Sequence, residues 1–165
     1  MHFKLIVAMC NNRGIGNQNK LPWSFSSDMK YFSRMTRGND NNAIIMGRNT
    51  FESIGRALPK RHNIILSNTK TPQTENNISF FNSIQSIINF CKEKEFDEVW
   101  VIGGESIYKQ FLEINDLIKK IFIKKINKDC NCDTFFPELD EKYTLVSNSA
   151  TKDSDTILNF MVYSF

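Results

Sequence analysis

Histidine is nearly missing from this chain: only His2 and His62 occur in 165 residues, and the four cysteines, at 10, 91, 130 and 132, include no Cys-x-x-Cys pair. Structural zinc sites draw on those two residue types at short, regular spacings, so no metal site is expected. A dominant charge is also missing. The 21 basic and 18 acidic residues are spread along the chain and leave a net charge of +3, without a basic block that could neutralise a run of phosphates. Nucleic acid is therefore not an expected partner, and the local basic excess at Lys119, Lys120, Lys124, Lys125 and Lys128 reads mainly as the solvated face of a strand. The apolar stretch Phe3–Met9 is far too short to span a bilayer and lacks the layout of a cleavable signal. With no membrane partner expected and the thiols free, the reading is cytoplasmic. A P-loop is absent, since no Gly-x-x-x-x-Gly-Lys occurs, which weakens the case for an ATPase or kinase.

What is present fits one globular domain covering 1–165, long enough to bury a core without disulfide or metal staples. Apolar runs of strand length recur at Phe3–Met9, Ala43–Met46, Ile64–Leu66, Val99–Ile102 and Ile121–Ile126, with helical spacing between several of them. That alternation predicts an α/β fold: a mostly parallel central sheet with flanking helices. Ser26 or Ser27 can cap a helix whose Met29, Phe32 and Met35 share a face, with Gly38 as its stop. A second helix is expected from Ser83 to about Lys92, striped by Ile84, Ile87, Ile88 and Cys91. The segments Tyr143–Ser149 and Thr156–Ser164 predict an antiparallel C-terminal hairpin turning near Asp153–Asp155, and Gly38–Asn42 and Thr69–Asn77 read as surface loops.

Two glycine turns follow strands and should each open a helix: Gly47-Arg48-Asn49-Thr50 and Gly103-Gly104-Glu105-Ser106. Glycine lets a backbone approach an anion closely, and the free N–H groups of a helix start hold its charge; either turn alone can equally be a tight connection. Neither is the usual dinucleotide fingerprint. Gly14-x-Gly16 lacks the third glycine and runs into a polar loop up to Pro22. Asp28 falls in the first turn of the first helix, where an acid is ordinarily a dipole partner. Its neighbours Leu21-Pro22-Trp23, and Phe32 four residues on, also suit a buried functional acid. Arg61 can grip a carboxylate with its planar fork or lie on the surface after the Pro59-Lys60 turn.

In this order the segments GIGNQNKLPW (14–23), MGRNTFESIG (46–55), LPKRHNIILS (58–67), VIGGESIY (101–108) and DTFFPEL (133–139) resemble those of the dihydrofolate reductase family, along nearly the whole chain. The resemblance implies NADPH-dependent reduction of 7,8-dihydrofolate to tetrahydrofolate, within one-carbon metabolism. It makes Asp28 the acid that holds the pterin edge and promotes N5 protonation through water, with Trp23 and Phe32 beside it in the catalytic set. It places Ile6, Val7, Ala8, Met29, Phe32, Ile54, Leu58, Ile102 and Tyr108 against the substrate, and Arg61 on its glutamate tail. It assigns Ala8, Ile15, Gly16, Lys20, Gly47, Arg48, Asn49, Thr50, Leu66, Ser67, Asn68, Ile102, Gly103, Gly104, Glu105, Ser106, Ile107 and Tyr108 to the cofactor, with Arg48 favouring NADPH over NADH. A free-standing member would be a monomer; the alternative is excision from a fusion with thymidylate synthase.

Two departures stand out. Lys124 occupies a substrate-site position where the family nearly always has threonine, so its ammonium either pairs with Asp28 and favours the ionised acid, or snorkels outward. Glu105-Ser106 puts no positive charge where some members carry an arginine toward the adenosine 2′-phosphate. Two rival readings are a related pyrimidine reductase of riboflavin synthesis, against which Asp28, Phe32 and Arg61 speak, and a nucleotide-binding domain that has lost turnover.

Overall fold

The computed structural model describes residues 3–18 and 26–165, the side chains of 26–28 excepted. Among these residues the order is β1 (Phe3–Met9), β2 (Gly14–Gly16), α1 (Ser26–Arg37), β3 (Ala43–Gly47), α2 (Arg48–Ile54), β4 (His62–Leu66), β5 (Gln73–Glu75), β6 (Ile78–Phe81), α3 (Ile84–Lys94), β7 (Val99–Gly103), α4 (Glu105–Leu112), β8 (Ile118–Ile126), β9 (Thr134–Phe135), β10 (Thr144–Asp153) and β11 (Thr156–Ser164). One sheet runs β10-β11-β8-β1-β7-β3-β4-β6-β5, and β2 pairs with β9 in a separate small ladder. From β8 through β6 every pairing is parallel, whereas β5 and the β10–β11 hairpin are antiparallel.

The central strands are mostly apolar because helices cover both faces of the sheet. Alternation with period two sends Leu5 and Val7, Ala43 and Ile45, Val99 and Val101, Ile121 and Ile123 into one cluster, under α3 and α4. The residues between them, Ile6, Ile44, Met46, Trp100, Ile102 and Phe122, enter a second cluster with Tyr31, Phe32 and Met35 of α1 and Phe51 of α2. Local signals set the ends: Gly38 takes φ 51° after α1, and Ser83 caps α3 by accepting from the Ser86 N–H. The hairpin turns on Ser154 and Asp155, both at positive φ, the geometry that matches strand twist in a two-residue connection.

Several sequence expectations change. β5 lies within Thr69–Asn77, where a surface loop was expected, β6 follows it directly, and β10 continues four residues past Ser149. Met29 is 61% exposed, and the buried side of α1 is formed by Tyr31, Phe32 and Met35. At about 100° per residue, position 29 sits at the edge of the stripe defined by 28, 31, 32 and 35. The expected solvated face of basic residues holds for Lys120 and Lys128, but Lys124 is buried.

Candidate active site

The β1–β7 ladder ends at Leu5 and Val101, and beyond it the carboxyl ends of the two strands separate. In that opening the Tyr108 hydroxyl lies 2.9 Å from both the Ile6 and the Ile102 carbonyl oxygens and donates to one at a time. Tyr108 thereby holds apart two strands whose carbonyls would otherwise lose a partner in a buried setting. Open α/β sheets bind ligands at such carboxyl-end crevices. Tyr108→Phe is expected to destabilise folding by about 1–3 kcal/mol, the cost of stranding a buried acceptor. An unchanged urea midpoint and slope would show that the hydroxyl does not hold the gap.

The α1 side of this crevice collects most of the apolar candidates. Ile6, Ile102, Phe32 and Leu58 meet in the second cluster. Ala8 is two residues beyond Ile6 and directly beside Lys124 in the β1–β8 register. Ile54, 36% exposed, and Met29 present apolar side chains to solvent on α2 and α1. Val7 is not brought to them: its side chain belongs to the α3–α4 cluster on the opposite face. Asp28 lies in the first turn of α1, one turn ahead of Tyr31 and Phe32, and its side chain is outside the described residues. Lys20 and Trp23 fall outside them as well.

Arg61 is not the surface arginine that its turn allowed. It is 6% exposed, with Nε donating to the Pro59 carbonyl at 3.0 Å and Nη1 to Thr36 Oγ1 at 3.0 Å. Burial, then the nearby Arg37, push the guanidinium below its ordinary value, against a raising effect of Asp40. The sequence reading missed the residues that hold it. Thr36 sits on the α1 stripe, four residues after Phe32, and donates to the Phe32 carbonyl at 2.8 Å. Asn63, fully buried, closes the 58–63 loop by accepting from Leu58 N–H at 2.9 Å and donating to the Leu58 and Arg61 carbonyls. A polar residue inside the apolar run of β4 was the available signal, since a buried amide needs partners.

The two glycine turns lie side by side. Met46 pairs with Gly103 across the adjacent parallel strands β3 and β7, so Gly47 and Gly104 open α2 and α4 at the same edge. Little room is left for side chains: a Cβ on Gly47 would meet Ile107 Cγ1 at 3.1 Å, and one on Gly103 would meet the Tyr108 hydroxyl at 3.1 Å. A Cβ on Gly104 would lie 3.5 Å from Thr50 Oγ1, which joins the two turns in one cradle of main chain. The Gly103–Gly104 peptide is cis. Around the rim, Arg48 is exposed and tied to Glu52 at 2.8 Å and Thr69 at 3.1 Å, with Asn49 and Asn68 exposed nearby in sequence. Ser67 is buried at the end of β4, its hydroxyl 3.3 Å from that of Thr69, and Leu66 is half-buried. Glu105 accepts the Phe135 N–H at 2.6 Å, Ser106 is bonded to Gln110, and Ile107 is buried in the core. Ile15 packs on the α3–α4 cluster, and the Gly16 carbonyl accepts from Asp133 N–H at 2.9 Å.

The sequence that builds this crevice and cradle has a match in known proteins. A family model described as dihydrofolate reductase matches residues 2–165. The chain belongs to the dihydrofolate reductase family. Among curated members, the enzyme of Aedes albopictus is 38% identical over 160 residues, covering 88% of this chain and 84% of its own length. That of Haemophilus influenzae is 41% identical over 139 residues, covering 84% and 81%. That of Bacillus subtilis is 40% identical over 151 residues, covering 90% and 84%. The dihydrofolate reductase family match thus spans both walls of the crevice, and among the described residues no helix is long and apolar enough to cross a membrane.

Proposed function

We propose that this chain reduces 7,8-dihydrofolate to 5,6,7,8-tetrahydrofolate with NADPH, and that Asp28 is its catalytic acid. The observation that carries the reading is the convergence of Ile6, Phe32, Leu58 and Ile102 on the α1 side of the crevice, one helical turn from Asp28. Those side chains form a flat apolar wall of the kind a pterin ring needs, while Asp28 supplies the one ionic contact to its amidine-like edge. Arg61, anchored by Thr36 and Pro59 at the far end of the same helix, takes the glutamate carboxylate.

The cofactor reading is supported by the cradle in which a Cβ on Gly47 or Gly103 would sit tightly at 3.1 Å from its neighbours, so that glycine keeps the main-chain N–H groups open to a pyrophosphate. Arg48, Ser67 and Asn68 would take the 2′-phosphate side, and Gly103, Gly104 and Ile102 the crevice side. When bound, NADPH supplies the hydride for C6 of the pterin. The chain's own residues supply alignment, exclusion of water and the proton. Asp28 holds the pterin and promotes protonation of N5 through water, which makes the neighbouring carbon a better hydride acceptor. The same reading takes 1–165 as a single catalytic domain, monomeric and cytosolic.

Mixing the purified chain with NADPH and dihydrofolate is expected to consume cofactor absorbance, and a tight antifolate is expected to stop it. Cofactor loss on a ribosylamino-pyrimidine but not on dihydrofolate would transfer the activity to the related reductase class. Loss on neither would remove turnover altogether.

A further inference from the structure

We propose that Cys10 and Cys132 form an oxidisable dithiol site, whose disulfide fastens the β1–β2 segment to the β8–β9 segment. Cys10 directly follows β1 with its side chain fully buried, and its Sγ lies 4.0 Å from that of the partly exposed Cys132. Room for the two sulfurs comes from Gly14, where an added Cβ would meet Cys132 Sγ at 2.5 Å and Cys10 Sγ at 2.8 Å. Main-chain and side-chain hydrogen bonds hold the two segments in this register. Asn11 N–H donates to the Lys128 carbonyl at 3.1 Å, Asp133 N–H to Gly16 at 2.9 Å and Phe136 N–H to Arg13 at 2.8 Å. Gln18 N–H donates to Asp133 Oδ2 at 2.9 Å. A disulfide bond of about 2.05 Å asks the sulfurs to approach by roughly 2 Å, within the reach of side-chain rotation.

The differing exposure of the two thiols sets the order of steps. With glutathione disulfide as oxidant, the Cys132 thiolate attacks one of its sulfurs, and glutathione leaves as a thiolate that takes up a proton. Cys10 then gives its proton to solvent and attacks Cys132 Sγ, expelling the second glutathione. Two protein thiols thereby lose two electrons and two protons, and the oxidant departs as two reduced glutathiones. Burial, and then the neighbouring Cys10 sulfur, push the Cys132 thiol up to about 11, so its thiolate is scarce at neutral pH and the first step is slow. Cys130, which packs against Cys10 in the same small cluster, is the competing partner. Cys91, buried beneath α3 with its thiol pushed up to about 12, serves as an internal control.

The test exposes the full chain to glutathione disulfide between pH 7 and 9.5 and counts thiols after denaturation. The count is expected to fall from four to two without dimer formation, with peptide mapping joining Cys10 to Cys132. The rate should rise close to tenfold per pH unit. Cys130→Ser should retain the link and Cys132→Ser, at a partly exposed position, should abolish it. Amide exchange over 11–18 and 128–136 should slow at least tenfold in the linked form. Four titratable thiols at pH 9.5, a Cys10–Cys130 link, or a linked form with unaltered exchange would each overturn the proposal. These readouts are covalent or hydrogen-exchange measurements, so they stand apart from the assay of dihydrofolate reduction.

Discussion

Asp28→Asn is expected to lower kcat for dihydrofolate reduction at neutral pH by about 10²–10⁴-fold, the usual share of a positioned acid or base. The amide keeps nearly the volume of the carboxyl, but it carries no charge, replaces one acceptor by a donor and cannot relay a proton, so both the ionic contact to the pterin and the protonation step are lost. The position supports the assignment: α1 begins at Ser26, which puts residue 28 on the same stripe as Tyr31 and Phe32, and both of those pack into the crevice-side cluster. NADPH affinity should be unaffected, because the glycine cradle is built from β3, α2, β7 and α4 and none of α1. Lower pH should partly restore the variant, since solvent then supplies the N5 proton that residue 28 no longer helps to deliver. Undiminished kcat in Asp28→Asn would take the acid's role away from this residue and leave the crevice with a different proton source.

The parts of this fold that were legible in the sequence are those set by local pattern. Apolar runs marked β1, β3, β4, β7 and β8, because strands buried on both faces are mostly apolar; β3 and β7 carry no charged or amide side chain, whereas Lys4, Asn63 and Lys124 interrupt β1, β4 and β8. Gly38 and Ser83 marked helix ends, and the two glycine turns marked the starts of α2 and α4. What was not legible depends on contacts distant in sequence. β5 is short and exposed throughout; it forms because it pairs with β6, itself paired with β4, and Gln73–Glu75 carry little strand signal. Val7 and Ile6 cannot be told apart by hydrophobicity, yet strand alternation sends one into each cluster. Arg61 was ambiguous after its turn until Thr36, 25 residues earlier, was brought within 3.0 Å. The thiol pair is the extreme case, two cysteines 122 positions apart that share no motif.

Lys124→Thr is expected to move the pH profile of kcat/KM for dihydrofolate to higher pH by about one unit or more, the scale on which an opposite charge shifts a carboxylate. The outward-snorkelling alternative fails on burial: Lys124 is 1% exposed, and its Nζ lies 4.6 Å from the Tyr31 ring centroid and 4.5 Å from that of Phe160. Aromatic faces stabilise a desolvated ammonium by about 2 kcal/mol, whereas burying one costs several, so a carboxylate is the natural further partner. Position selects it. Lys124 pairs with Ala8 on the crevice side of the sheet, beneath Tyr31, and Asp28 precedes Tyr31 by one turn. Tyr31 stays neutral, its phenol raised by burial against a lowering effect of Arg34, and Arg34 itself lies over the outer part of that ring at 5.7 Å. The sign follows from the pair: the ammonium favours ionised Asp28 in the native protein, so the protonated acid is available only at lower pH. Threonine removes that charge, the acid holds its proton to higher pH, and activity extends with it. Coincident profiles for the two proteins would mean that Lys124 and Asp28 do not share a charge, whatever the fate of turnover.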